Sequence, residues 1–212
     1  MAEILPGIFA SDWQSFSDMV SRVGGAVPWI HVDILDGTIA STVTLTDFSG
    51  LPSLRTTYPG CQFEGHLMVA NPEKYIRPLV DAGFTRLIAH VESNDPRRFL
   101  SEARFEEVEV GLAIDGTTDV TEIEPFLEEV DFVVVQSAEA GGPNRPFLPE
   151  SLEMVKTIRQ SYPDLVIEVI GGIDDTNIAS VKEAGATRIV STHFVFQNPG
   201  NELSALDLLS SR

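Results

Sequence analysis

The chain has 212 residues, 43% of them hydrophobic and 22% charged, with 14 basic against 32 acidic side chains and a net charge of −18. These proportions belong to a soluble globule and not to a disordered chain, and the sign of the charge excludes nucleic acid and anionic membrane as partners, since both need a cationic face. No apolar run nears the roughly 18 residues of a membrane-crossing helix, and the single cysteine, Cys61, excludes an internal disulfide and a cysteine-based zinc cluster. The opening Met1-Ala2-Glu3-Ile4-Leu5-Pro6 lacks the basic and long apolar parts of a secretory leader. With one cysteine and no leader, a reducing cytoplasm is the expected location. An acidic surface with three lysines (Lys74, Lys156, Lys182) against eleven arginines keeps the protein soluble and would also suit a high-salt cytoplasm.

Short β-rich runs alternate with helical stretches every 20 to 30 residues. The first run covers 4–9; the helix after it, over 12–23, has Ser11 as its expected cap and Gly24-Gly25 as its stop. A run over 29–34 leads through a looser stretch to a short helix around 48–58. A third run covers 62–68. Asn71-Pro72-Glu73 then reads as a cap, a first-turn proline and an acidic first turn, with Gly83 as the stop. Run four covers 86–90, with a helix opening near Pro96. Run five covers 108–114, with a helix expected over 120–129. Run six, 132–136, is nearly all apolar and is followed by a Gly/Pro loop and a helix over 149–162. Run seven covers 166–170, with a helix near 176–184 ending at Gly185. Run eight covers 188–191, with a last helix near 203–210.

Eight such units, with strands apolar enough to be covered on both faces, predict an α/β fold: a (β/α)8 TIM barrel forming one domain over 1–212. An open doubly wound sheet is the alternative, but no G-x-G-x-x-G follows the first strand.

Active groups of such barrels sit where the strands end. The four histidines, His31, His66, His90 and His193, all fall near that rim. His31 and Asp33, two apart on one strand, project to the same face. With His66 on the neighbouring strand they can bind a divalent metal and leave positions open for a substrate; a hydrogen-bonded polar layer is the alternative. Asp36, Glu92 and Asp115 add carboxylates to the rim. Gly141-Gly142 and Gly171-Gly172 are candidate phosphate loops, or plain tight turns. Asp174-Asp175 would repel a phosphate if turned inward and would otherwise cap the next helix.

Read in order, these residues resemble the ribulose-phosphate 3-epimerase family from about Ile4 to Phe196. The resemblance is strongest in Trp29-Ile30-His31-Val32-Asp33-Ile34-Leu35-Asp36-Gly37 and His66-Leu67-Met68-Val69. It is supported by His90-Val91-Glu92, Phe147-Leu148-Pro149 and Glu168-Val169-Ile170-Gly171-Gly172. It implies a (β/α)8 barrel that inverts C3 of a ketopentose phosphate, using a zinc, iron, manganese or cobalt ion held by two histidines and two aspartates that also act as acid and base. His31, Asp33 and His66 match three of those four positions, with Asp33 as one catalytic base. It also implies a small-molecule sugar phosphate as partner and raises the prospect of a homo-oligomer.

The chain departs from the family's pattern at the site. The second aspartate is Ile170, which weakens the expected metal set to three ligands. The early Pro-Ser-Ile-Leu is Pro6-Gly7-Ile8-Phe9, and the Gly-Ser after run eight is Thr192-His193. The Asn-Pro after run five is Asp115-Gly116. The loop after run six is Glu139-Ala140-Gly141-Gly142-Pro143-Asn144-Arg145, in which Pro143 lacks an N–H and Arg145 offers a charge to a phosphate. Gly141, Gly142, Arg145, Gly171, Gly172, Thr192 and His193 are therefore the expected substrate- and phosphate-binding residues, with His193 or Glu139 as a substitute proton donor. Three functions follow: a divergent sugar-phosphate epimerase or isomerase, a barrel that has lost catalysis and serves in binding or regulation, or a one-base isomerase or aldolase.

Overall fold

In the computed structural model, which describes residues 2–212, eight parallel strands close on themselves in chain order. They are β1 (Glu3–Ile8), β2 (Trp29–Leu35), β3 (Gln62–Met68), β4 (Arg86–His90), β5 (Glu109–Asp115), β6 (Phe132–Gln136), β7 (Val166–Ile170) and β8 (Arg188–Ser191). Between and after them run α1 (Trp13–Val23), α2 (Leu51–Thr57), α3 (Glu73–Ala82), α4 (Pro96–Phe105), α5 (Ser151–Ser161), α6 (Ile178–Ala184), α7 (His193–Phe196) and α8 (Glu202–Ser211). Pairing of β8 with β1, from Glu3 opposite Arg188 to Pro6 opposite Ser191, closes the ring. The chain is a (β/α)8 barrel in a single domain, as the alternation predicts.

The helices cover the barrel because each carries one apolar stripe. In α1 the buried residues are Phe16, Val20 and Val23, and in α3 they are Ile76, Leu79 and Ala82, both at helical spacing. The stops at Gly24, Gly83 and Gly185 fall where the sequence puts them.

Three local expectations are corrected, and one short helix is added. The cap of α1 is Asp12, whose carboxylate accepts from Ser15 N at 2.9 Å, while Ser11 only donates to that carboxylate. Pro72, not Asn71, precedes α3 as its cap residue. The helix expected over 120–129 is instead two 3-10 turns, Val120–Glu122 and Glu124–Phe126. Pro125 has no N–H to continue a ladder, and Asp119 takes the N–H and hydroxyl of Thr121 into a local turn. Ile123 and Phe126 still bury themselves against the barrel, so the cover is kept without a helix. Finally, α7 begins at His193, where the spacing of residues carries no helical signal.

Alternate strand residues fill the barrel, and they fall into two halves. Leu5, Ile88, Ala113, Phe132, Val134, Ile170 and Val190 form an apolar cluster drawn from β1 and β4–β8. β2–β4 supply the buried polar groups His31, Asp33, Glu64, His66, Arg86 and His90. At the floor Arg86 donates through Nε to Glu109 at 2.6 Å and through Nη1 to Glu64 at 3.2 Å, while Arg188 donates to the other oxygen of Glu109 at 2.8 Å. The Arg86 guanidinium also lies 3.4 Å from the centre of the Trp29 ring. Two cations thus neutralise carboxylates that the interior could not otherwise hold.

Arg86→Met keeps the volume and removes the charge that Glu64 depends on. We expect a loss of about 3–5 kcal/mol in chemical unfolding, the usual effect of stripping one partner from a buried pair. Wild-type stability in this variant would contradict the account of the floor.

Candidate functional site

The polar half of the barrel ends in a tight cluster. His31 and Asp33 lie on β2, and the register sets Asp33 directly opposite His66 on β3. Asp33 Oδ1 lies 3.3 Å from His31 Nε2 and 3.2 Å from His66 Nδ1. All three ligand atoms fall within 4.8 Å of one another, and all three side chains are buried. The backbone around Asp33 is held by Thr44, whose hydroxyl donates to Asp33 O and accepts from Leu35 N, both at 2.9 Å.

Each imidazole is gripped from its far side. His31 Nδ1 is 2.7 Å from Glu64 Oε1 and 3.4 Å from Glu168 Oε1. His66 Nε2 is 2.8 Å from His90 Nε2, and His90 Nδ1 is 3.1 Å from Glu92 Oε2. These contacts set the protonation of the cluster. Burial alone would lower the His31 pKa, but hydrogen bonds to Asp33, Glu168 and Glu64 raise it well above the usual imidazole value. Burial works against the Asp33 carboxylate, yet hydrogen bonds from the two histidines hold it ionised far below the usual range. Burial lowers His66 to about 4, helped by the neighbouring histidines. Glu168, buried next to the charge of Glu64, is pushed up to about 7.

Two imidazoles and one carboxylate converging from adjacent strands form a donor set that fits a divalent ion of the zinc, iron, manganese or cobalt type. Asp33 is the member that also lines the adjoining cavity of about 650 Å³. Ile170 also lines that cavity, 6% exposed and packed in the apolar cluster of the barrel. Ile170 supplies no ligand atom and no proton.

The candidate phosphate residues Gly141, Gly142, Arg145, Gly171, Gly172, Thr192 and His193 all line the same cavity, as do Glu139 and Asp174. Gly171 has φ +106°, and a Cβ there would meet Ala138 N at 2.8 Å, so the loops after β6 and β7 press together only because the residue is glycine. Thr42 Oγ1 donates to Gly141 O at 2.7 Å and ties the loop after β2 to the loop after β6. Arg145 pairs loosely with Glu139 at 3.8 Å. Asp174 is engaged locally, accepting from Thr176 N at 2.8 Å and from its hydroxyl at 2.6 Å. Gly7 on β1 is packed tightly: a Cβ there would run into the hydroxyl of Thr192 and into Val190 Cγ1, so side chains from β8 and just past it fill the space a larger residue would need. Asp36 and Asp115 sit in turns with Thr38 and Thr117 and bring no carboxylate to the cluster.

Sequence reading missed Glu64, which lies two residues before His66 and so shares its face. It also missed Gln136, at the end of β6 on the cavity wall, and the contact between His66 and His90.

Fold and site together define a (β/α)8 barrel with a His/Asp cluster at the C-terminal ends of β2–β4. The model of the Ribulose-phosphate 3 epimerase family matches residues 3–196, and the chain belongs to that family. It is 33% identical over 211 residues to the Ribulose-phosphate 3-epimerase of Schizosaccharomyces pombe, covering 97% of this chain and 92% of the relative. It is 32% identical to the cytoplasmic isoform of Oryza sativa subsp. japonica over the same shares of each chain. Among solved structures the fold is similar to a 3-hexulose-6-phosphate synthase, with a TM-score of 0.75 at 16% identity, covering 100% of this chain and 99% of the other. It is also similar to KGPDC from Streptococcus mutans, with a TM-score of 0.73 at 11% identity, covering 100% of this chain and 96% of the other. Among the described residues no helix is long and apolar enough to cross a membrane.

Glu92 is lowered to about 2: burial works against its charge, but His90, Asp115 N and the Thr118 hydroxyl hold it. A depressed carboxylate stabilises the fold above its unfolded pKa, and that contribution is lost as pH falls through the folded value. Glu92→Gln should therefore lower the urea midpoint at pH 7, and its deficit against wild type should shrink as pH falls from about 4.5 toward 2. A deficit constant across that range would contradict the assignment.

Proposed function

We propose that the protein is a metal-assisted epimerase or isomerase of a sugar phosphate, working through an enediolate with Asp33 as the base. The observation that carries the reading is Asp33 itself: an ionised, buried carboxylate that touches both imidazoles and still reaches the cavity wall. His31, Asp33 and His66 would hold the ion, which supplies positive charge where negative charge develops on the substrate's oxygens.

The chain's own residues do the rest. Asp33 removes the proton from the carbon next to the ketone and keeps it on its own face of the substrate. The wall at Ile170 is apolar, so a proton delivered to the opposite face has to come from the rim, where His193 and Glu139 line the cavity. Arg145 offers a charge, and the glycine loops after β6 and β7 offer backbone N–H groups, to the phosphate end of the substrate. Family membership and two relatives above 30% identity support a ketopentose phosphate as the substrate. The buried Cys61 and the relative named as a cytoplasmic isoform support a cytoplasmic location.

The apolar wall at Ile170 favours one second reading. Asp33 would take and return a carbon proton on a single face in a one-base isomerisation, or would take the proton of the hydroxyl β to the ketone in an aldol cleavage, where the C–C bond breaks to an aldehyde and an enediolate that is then protonated.

Incubation of ribulose 5-phosphate in D2O with the metal-loaded protein separates the readings. Inversion at C3 with deuterium at that carbon is the expected result, and Asp33→Asn should slow it by ~10²–10⁴-fold. Deuterium entering C3 without the epimer would establish the single-face reading. No exchange in wild type, with inversion appearing in Ile170→Asp, would overturn both and leave a barrel that has lost catalysis.

A further inference from the structure

The contact between two ring nitrogens, His66 Nε2 and His90 Nε2 at 2.8 Å, is close enough to be a hydrogen bond. The ring planes are nearly parallel, 16° apart, with centroids 4.9 Å apart. Such a bond requires one nitrogen to carry the proton and the other to offer its lone pair. Which one does so is set further out. His90 Nδ1 faces Glu92 Oε2 at 3.1 Å, and a carboxylate only accepts, so His90 donates from Nδ1. In a neutral imidazole that leaves Nε2 as the acceptor, and the proton between the two rings then belongs to His66. That order belongs to the metal-loaded site, where the ion takes the Nδ1 lone pair of His66; without an ion, Nδ1 faces the Asp33 carboxylate at 3.2 Å and donates to it.

Glu92 is a fixed anchor for this chain of bonds. Its Oε1 accepts from the Thr118 hydroxyl at 2.7 Å and from Asp115 N at 2.9 Å, both at or just past the end of β5. His90 itself is only 3% exposed, so water does not compete for its nitrogens. His31 is held differently, with its Nδ1 directly on Glu64.

We propose that His90 and Glu92 are positioning residues: together they select the His66 tautomer that offers Nδ1 to the metal and fix the plane of its ring. This deepens the metal-assisted reading above and rests on it. Outer partners of this kind typically change metal affinity by about 10–100-fold. Neither residue reaches the cavity wall, so the effect runs through His66 and not through the substrate.

The test is the affinity of the full chain for Zn²⁺ and Co²⁺, measured by competition with a chromogenic chelator, together with ¹⁵N imidazole shifts of the Zn²⁺-loaded protein. In wild type, His66 should show a protonated Nε2 and a metal-bound Nδ1. His90→Phe removes the acceptor and should weaken both ions about 10–100-fold. His90→Gln, whose carbonyl can still accept from Nε2, should recover most of that loss. If His90→Phe does not fold, Glu92→Gln and the wild-type spectrum carry the test: the variant should also bind more weakly. Wild-type affinity in His90→Phe or in Glu92→Gln, or a loaded His66 bound through Nε2, would overturn the relay alone. Wild type that binds neither ion would overturn the metal reading beneath it.

Discussion

One carboxylate oxygen, Asp33 Oδ1, receives a ring nitrogen from each side, and the rest of the site is arranged around that convergence. Neither histidine is free to turn away. His31 is held from outside by Glu64, which is held by Arg86, which is shared with Glu109 at the barrel floor. His66 is held by His90, which is held by Glu92. The cluster is thus the meeting point of two hydrogen-bonded chains, one rising from the floor of the barrel and one crossing its rim. Along these two chains each polar group is met by another until the charge reaches a cation or the rim, whereas both carboxyl oxygens of Glu168 beside His31 are buried without a well-formed hydrogen bond.

The barrel interior explains why the two sides of the cavity differ so strongly. β2–β4 carry most of the buried titratable groups of the cluster, joined by Glu168 from β7, while the aliphatic side is drawn mainly from β1 and β5–β8. Ile170 belongs to that aliphatic side by packing as well as by identity. An acid at this position would have to be desolvated against Val190 and its neighbours, and only a cation nearby would hold it ionised. Ile170 packs there with the aliphatic side chains, while His31, Asp33 and His66 keep their mutual contacts. Gly7 leaves room in the same way, since a Cβ there would clash with Thr192 and Val190.

Much of this was legible in the sequence. Eight strand signals with short connections sufficed for the barrel, because a parallel strand buried on both faces leaves an almost continuous apolar run. The two-residue spacing of His31 and Asp33 put them on one face, and the structure brings His66 beside them. The expected helix over 120–129 failed because Pro125 and the Asp119 turn break the hydrogen-bond ladder although the apolar spacing survives. The outer partners were harder to see. Glu64 could have been found by its parity with His66, whereas the meeting of His66 and His90 depends on ring orientation, which no spacing encodes. The joining of the loops after β2 and β6 through Thr42 likewise depends on a backbone carbonyl and leaves no side-chain signature in the sequence.

The most direct test of the central claim is a crystal structure of the chain equilibrated with Zn²⁺, with diffraction collected on both sides of the zinc absorption edge. The account predicts a single strong anomalous peak about 2.0–2.2 Å from His31 Nε2, Asp33 Oδ1 and His66 Nδ1. A peak bound elsewhere, or no peak with both imidazoles still hydrogen-bonded to Asp33, would contradict it.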